Sequence, residues 1–295
     1  MEIKKDRELC NECGLCVRDC VAGAWREIEG SAEMAAPEFC SSCGHCVAVC
    51  PRGAIIHEGL DTGQIRKVDK RLLDAEVLRE ILRSRRSVRR YRSAMVPSET
   101  VLDILWLSSH APTASNKQDV GYTVITDKHV LEVVSGALFG FAGKLYRGTR
   151  KGPGKLVYQG LKRFFPGNDL ERYMEPMPYY ISQAEQGRDY ILHGAPVLIL
   201  LHAPKKGRFH CENCNIAAAN IMNDAHARGL GTCYIGFLCL ALKFSRYLRR
   251  MVCLPPGRKV YACLVMGYPA YVHTFTVSRK KRQIRWIKEK EKHPF

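Results

Sequence analysis

"CNECGLCVRDC" (Cys10–Cys20) and "CSSCGHCVAVCP" (Cys40–Pro51) carry one cysteine spacing, C-x2-C-x2-C-x3-C, twice in the first fifth of the chain. Three thiolates on one tight loop cap three corners of a cubic iron-sulfur cluster, and the fourth ligand comes from the other block. The spacing therefore predicts two 4Fe-4S clusters with crossed ligands. Cys10, Cys13, Cys16 and Cys50 would hold one, and Cys40, Cys43, Cys46 and Cys20 the other. Gly14 and Gly44 lack a Cβ, which lets the loop backbone approach inorganic sulfide. Pro51 completes the second block, whereas Val21 stands in its place after Cys20 and removes no ligand. Four-cysteine zinc sites are the alternative, and the third closely spaced cysteine of each block argues against them.

The chain has 295 residues, 33.4 kDa and 46% hydrophobic content, enough for one large domain or two unequal ones. No apolar run approaches the roughly 18 residues of a membrane helix. The start, "MEIKKDRELC", has no apolar signal core behind its charges, so a cytoplasmic location is expected. Without an export signal, the eight regularly spaced cysteines read as thiolate ligands and not as disulfides. Cys211, Cys214, Cys233, Cys239, Cys253 and Cys263 lie in apolar stretches, where a free cysteine behaves as a small core residue. The formal charge of +17 is split unevenly: residues 1–60 carry net −4 and the remainder +21. Such an excess calls for an anionic partner: phosphate, nucleic acid, an acidic membrane surface or an acidic protein.

Residues 3–58 resemble the two-cluster bacterial-type ferredoxins, whose acidic character they share. A ferredoxin would end near residue 60, so the expected organisation is a cluster domain (1–60), a linker (61–71) and a second body (72–295) that uses the electrons. In that body Leu72, Leu73, Val77, Leu78, Ile81 and Leu82 recur at helical spacing. A second helix, apolar on most sides and so expected to be buried, starts at Ser98 and runs through "ETVLDILWLSSH". "YTVITD" from Tyr122 and "APVLILLHA" from Ala195 read as strands, the latter apolar on both faces and therefore central. "NCNIAAANIMNDAHARGLG" is a helix closed by Gly229. "ALKFSRYLRRMV" is a further helix, and "RKVYACLVMGYP" returns as a strand. Helices and strands mix without strict alternation, which predicts a layered α+β domain.

"RSRRSVRRYR" (Arg83–Arg92) holds six arginines. Arg85, Ser87 and Arg89 alternate at strand spacing, offering two guanidiniums and a hydroxyl to one phosphate, although a nucleic-acid patch would look the same. Together with "APTASNKQD", "GAPVLILLHA", "ARGLGTCYIGF", "VMGYPA" and "VSRKKRQIRW", in that order, the run resembles the FMN-dependent nitroreductase family over residues 72–287. Joined to a two-cluster ferredoxin, the chain looks like that family's ferredoxin-fused branch. The resemblance implies a layered α/β/α fold and a homodimer with FMN in a groove between subunits. It further implies that Arg85, Ser87 and Arg89, with Arg86 alongside and Arg279 closing from the C-terminal segment, bind the FMN phosphate. Pro112, Thr113 and Asn116 would border the ring and ribityl chain with Gln118 orienting them, and Tyr234, Ile235 and Gly236 would pass over the other face. One departure stands out: Gln118-Asp119-Val120 occupies the place where relatives often have Gln-Pro-Trp. "GLGTCYIG" follows a helix and has the wrong glycine spacing for a dinucleotide motif, so no resident nicotinamide site is expected.

Flavin joins one-electron clusters to two-electron organic chemistry. The expected function is therefore electron transfer from an external donor, a ferredoxin-like protein or reduced nicotinamide, through the clusters to FMN and on to a small nitro, enone or quinone-like acceptor. No side chain stands out as a catalytic acid or base. The rival readings are a basic nucleic-acid-binding iron-sulfur protein and an electron carrier without its own substrate. Residues 141–188 carry little of the family pattern and are expected to form a lid. Their cations, Arg147, Arg150 and Lys151 among them, would select an anionic substrate or touch an acidic membrane. Protein purified without oxygen should carry about eight irons and eight labile sulfides per chain; one or two zincs without sulfide would overturn the cluster assignment.

Overall fold

The computed structural model describes residues 1–165 and 169–287. The N-terminal body comprises β1 (Ile3–Lys5), α1 (Leu15–Asp19), β2 (Trp25–Ile28), β3 (Ser31–Met34), α2 (His45–Val49) and β4 (Ile55–His57). β1 pairs with β4 and β2 with β3, both antiparallel. The cysteine repeat is also a backbone repeat. Gly14 and Gly44 (φ 66° and 74°), Gly23 and Gly53 (66° and 65°) and the non-glycines Glu12 and Ser42 (both 51°) occupy matching left-handed positions. A left-handed non-glycine costs roughly 1–2 kcal/mol, and the same cost is accepted at the same place in each loop. Cys16 and Cys46, the third cysteine of each block, are both buried, packed with Ile3, Trp25, Ala32 and Ile55.

Residues 61–72 form two single 3-10 turns, each capped by an aspartate, Asp61 or Asp69. α3 (Ala75–Ser84) begins later than the apolar spacing predicts, because the Asp74 carboxylate accepts from the amides of Glu76 (2.7 Å) and Val77 (3.3 Å) and sets the N-cap there. Leu72 and Leu73 fall outside it, and Val77, Leu78 and Leu82 remain exposed.

The second body continues with α4 (Ser98–Ser108), β5 (Gly121–Ile125), α5 (Lys128–Gly148), α6 (Gly152–Phe164), α7 (Asp169–Met174), α8 (Met177–Glu185), β6 (Val197–Pro204), α9 (His210–Ala227), β7 (Gly231–Tyr234), α10 (Gly236–Phe244), α11 (Arg246–Met251) and β8 (Arg258–Gly267). The sheet order is β5-β6-β8-β7, antiparallel throughout. Val197 to Leu201 are 0% exposed, so β6 is central and dry on both faces, as its unbroken apolar run requires. Leu198, Leu200, Cys263 and Val265 pack against α5 and α10 through Leu138 and Leu238. Val197, Ile199, Leu201 and Leu264 pack against α4 and α9 through Ile104 and Ile221. The result is the layered α+β architecture expected. Among the described residues, no helix is long and apolar enough to cross a membrane.

Three expectations need correction. α4 buries Val101, Ile104 and Leu105 but leaves Leu102, Trp106 and Leu107 exposed, because only one of its sides meets the core. The helix over "ALKFSRYLRRMV" is two helices: Ser245 adopts extended backbone and its side chain caps α11 by accepting from Leu248 N. Cys211 and Cys253 are exposed and are not core residues.

The arginine-rich segment lies along β7. Ser87 bridges Thr232 in parallel, and Val88 N donates to Thr232 O (2.9 Å). This approach needs a missing side chain: a Cβ on Gly231 would lie 2.6–2.8 Å from the Val88 side chain. Gly231→Ala should therefore destabilise the protein by about 1–3 kcal/mol, the range for overpacking, as read from the denaturation midpoint; an unchanged midpoint would show that Val88 moves aside freely.

Candidate cofactor sites

Each cysteine block gathers its own thiols. Burial, with the neighbouring Cys10 and Cys13 adding repulsion, pushes the Cys16 thiol up; burial does the same to Cys46, beside Cys40 and Cys43. Crowded buried thiols are poor thiolates unless a cation offsets them, which is what cluster iron would supply. The donors around them suit sulfur acceptors. Ser42 N points at Cys40 Sγ (3.4 Å) and Ala54 N at Cys50 Sγ (3.3 Å). The indole N–H of Trp25 is buried without a partner beside Cys46, whose thiolate form it favours. The residues fit the clusters predicted for them; the crossed assignment of Cys20 and Cys50 is a proposal.

The second grouping forms where the arginine segment meets β7. Burial pushes the Cys233 thiol up, while Arg89, Ser87 and Arg85 all act to lower it. Arg89 and Ser87 thus lie beside the Cys233 sulfur, with the Arg85 charge also acting on it. Arg86 is partly buried, and Arg279 is exposed beyond β8, outside helix and strand. Next to this cluster lies a cavity of about 310 Å³, bounded by Arg89, Cys233–Phe237, Tyr190, His193 and the α7–α8 residues Arg172, Tyr173 and Tyr180. Two guanidiniums, flat aromatic walls and the start of α10 make a site for a planar anionic molecule. His193 Nδ1 is buried there without a partner, a donor or acceptor that a ligand could satisfy.

Pro112–Asp119 forms a third grouping. Ser115, Asn116 and Gln118 have φ of 55°, 49° and 47°, so the loop is strained at three non-glycine positions, as functional loops often are. Ala114 N donates to Asn213 Oδ1 (3.2 Å), Gln118 N to Thr113 Oγ1 (2.9 Å) and Gln118 Nε2 to Asn116 Oδ1 (3.0 Å). Asp119, the departure from the family pattern, turns inward and pairs with buried His210 (3.2 Å), while Arg258 donates to its carbonyl (2.9 Å). The Asp119 side chain thus lies against the buried His210 ring while Arg258 holds the backbone of the same turn. From its outer face, Asn116 Nδ2 donates to the carbonyls of Ser41 (3.1 Å) and Ser42 (2.9 Å), inside the second cysteine block.

Within one chain the second and third groupings stay apart: the small cavity beneath Thr113 and Gln118 shares no lining residue with the larger one. The expected lid is helical and contributes differently from its sequence reading. Arg147, Arg150 and Lys151 do not line the larger cavity, and Arg150 sits over the Tyr146 ring (5.0 Å). Arg172 and Tyr180 line it instead. The sequence reading of the lid did not name Arg172 or Tyr180. Cys233 and His193 were missed altogether, since nothing local marks a cysteine or histidine that tertiary packing brings beside arginines.

The family model described as "Nitroreductase family" matches residues 82–268, and the one described as "4Fe-4S dicluster domain" matches residues 9–55. A 4-nitrobenzoate reductase from Nocardioides sp. (strain LMS-CY) is 25% identical over 217 residues, covering 70% of this chain and 87% of that protein. Two solved structures share the fold. A nitroreductase with bound FMN from Bacteroides fragilis NCTC 9343 has a TM-score of 0.50 at 20% identity, over 71% of this chain and 98% of that one. A nitroreductase with bound FMN from Desulfitobacterium hafniense DCB-2 has a TM-score of 0.53 at 15% identity, over 72% and 98%.

Burial above all, reinforced by Arg89 and Arg90 and opposed by Asp189, pushes His193 down to about 4. Between its ordinary value near 6.5 and that depressed value, the unfolded chain binds a proton that the folded chain refuses, so stability falls as pH falls through this window. His193→Gln should flatten the decline in denaturation midpoint between about pH 6.5 and 4; a slope equal to that of the unaltered protein would place the burden elsewhere.

Proposed function

The chain belongs to the nitroreductase family, and on that premise we propose that it is an iron-sulfur flavoprotein oxidoreductase. It takes electrons from an external donor, a ferredoxin-like protein or reduced nicotinamide, and delivers them by way of two 4Fe-4S clusters and FMN to a small nitro, enone or quinone-like acceptor. FMN would supply the conversion of single electrons into a hydride equivalent. The observation that carries this function is the Asn116 amide on the carbonyls of Ser41 and Ser42. It ties a cluster-binding loop to the loop that would border the flavin, so the two bodies meet where electrons would have to cross.

The protein's own residues have distinct tasks. Arg85, Ser87 and Arg89 would hold the FMN phosphate by charge-assisted hydrogen bonds. Tyr234, Ile235 and Gly236 would offer backbone to the flavin. Pro112, Thr113 and Asn116, with Gln118 donating to Asn116, would border it. Because Tyr234, Ile235 and Gly236 line one cavity and Thr113 and Gln118 another within one chain, the full site would be the groove of a homodimer, which would also cover the exposed apolar side chains of α3 and α4. Arg172 with Tyr173 and Tyr180 favours an aromatic or conjugated acceptor bearing an anionic group.

FMN should be released by denaturation and identified by its mass. Arg85→Ala should weaken its binding by about 1.5–3 kcal/mol, roughly tenfold to a hundredfold; undiminished FMN affinity would remove Arg85 from the phosphate site. With rates taken per bound FMN, Asn116→Ala should slow turnover with a reduced protein donor more than turnover with a chemical reductant. Equal loss in both assays would overturn the electron route.

A further inference from the structure

Six cysteines lie outside the cluster-binding blocks, and two of them meet. Cys239 in α10 and Cys263 in β8 place their sulfurs 3.2 Å apart. The backbone enforces this approach. Ile235 N donates to Cys263 O (2.8 Å), and Cys239 N donates to Ile235 O (3.4 Å), so the first turn of α10 hangs from Cys263 and carries Cys239 back over it.

The two thiols are unequal. Cys263 is fully buried, and burial holds its pKa well above the ordinary range. Cys239 is only half-buried, and its pKa is drawn down by the Cys263 S–H foremost, against burial, with the Tyr234 hydroxyl and Lys243 assisting. That hydroxyl is itself fixed, within reach of Asn215 Oδ1 (2.9 Å) and Tyr261 O (3.1 Å). A partly buried thiol with a fully buried thiol in contact behind it is the arrangement of an attacking and a resolving cysteine.

We propose that Cys239 and Cys263 form a two-electron dithiol that hydroperoxides oxidise to a disulfide. The Cys239 thiolate attacks the terminal peroxide oxygen; an S–O bond forms, the O–O bond breaks, and the departing alkoxide or hydroxide takes the proton that Cys239 gave up. Cys263 then loses its proton and its sulfur attacks the sulfenic sulfur. The S–S bond forms, the S–O bond breaks, and hydroxide leaves with that proton as water. Overall two thiols lose two electrons, and one hydroperoxide is reduced to an alcohol or water plus a second water. The disulfide would pin the first turn of α10 to β8 and withdraw the Cys239 thiol from Tyr234. This chemistry needs no flavin and stands or falls apart from the FMN assignment.

The test treats the full-length protein, purified without oxygen, with stoichiometric hydrogen peroxide, followed by iodoacetamide, trypsin and mass spectrometry. Peptides 229–243 and 260–279 should appear as a linked pair lighter by two hydrogens, with equal loss of alkylated Cys239 and Cys263. Because peptide 229–243 also contains Cys233, the link should persist in Cys233→Ser. In Cys263→Ser, dimedone should trap a sulfenic acid at Cys239. Full alkylation of Cys239 and Cys263 after peroxide would overturn the proposal, as would a link that vanishes in Cys233→Ser; the unsubstituted protein's peptide map decides the first point even if a variant fails to fold.

Discussion

A sheet whose central strands are dry on both faces from Val197 to Leu201 leaves polar chemistry to its strand ends, its edge and its loops. β6 and β8 are sealed above by α5 and α10 and below by α4 and α9, and an unpaired polar group placed between those layers would cost several kcal/mol. Cations and hydroxyls are therefore displaced to β7, the edge strand, where the segment around Ser87 and Val88 adds itself alongside. Gly231 makes that addition possible, since any side chain there would strike Val88. The placing of Ser87 and Arg89 beside Cys233 follows from these two conditions.

The cysteine-rich body obeys a different constraint. It is too small to be held by apolar burial alone, and its core is shared between a few side chains and the ligand cysteines themselves. Its fold is a pair of equivalent loops, each bent through the same left-handed positions. Metal binding in such a body is folding free energy. The opposite signs of the two bodies, net −4 and +21, favour their association, and the Asn116 bonds give that association a fixed register.

Asp119 illustrates how a departure from a pattern becomes intelligible. In sequence it is an acidic residue where relatives often have a proline. In the structure its carboxylate reaches His210 beneath the loop, and Arg258 fastens the same turn by its carbonyl while also reaching His202 (3.0 Å). Buried polar contacts of this kind are weak sources of net stability but costly to break on one side. Their use here is to hold three left-handed residues in place at the junction of the two bodies.

The sequence by itself determined what depends on neighbours along the chain. The cysteine spacing marked a 4Fe-4S dicluster domain because loop geometry is local, and the unbroken apolar run of β6 specified a central strand because burial on both faces leaves a one-dimensional mark. The alternation of Arg85, Ser87 and Arg89 was legible for the same reason. Helix ends were less so: Asp74 and Ser245 moved or split helices that apolar spacing alone would have continued. Only the tertiary structure decided what those local features meet. Cys233 beneath the arginines, Arg172 and Tyr180 facing the cavity, Asn116 on the Ser41 and Ser42 carbonyls, and Cys239 against Cys263 all join residues far apart in the chain. Such contacts leave no periodic trace in the sequence, because they arise from how layers and crossovers close in space.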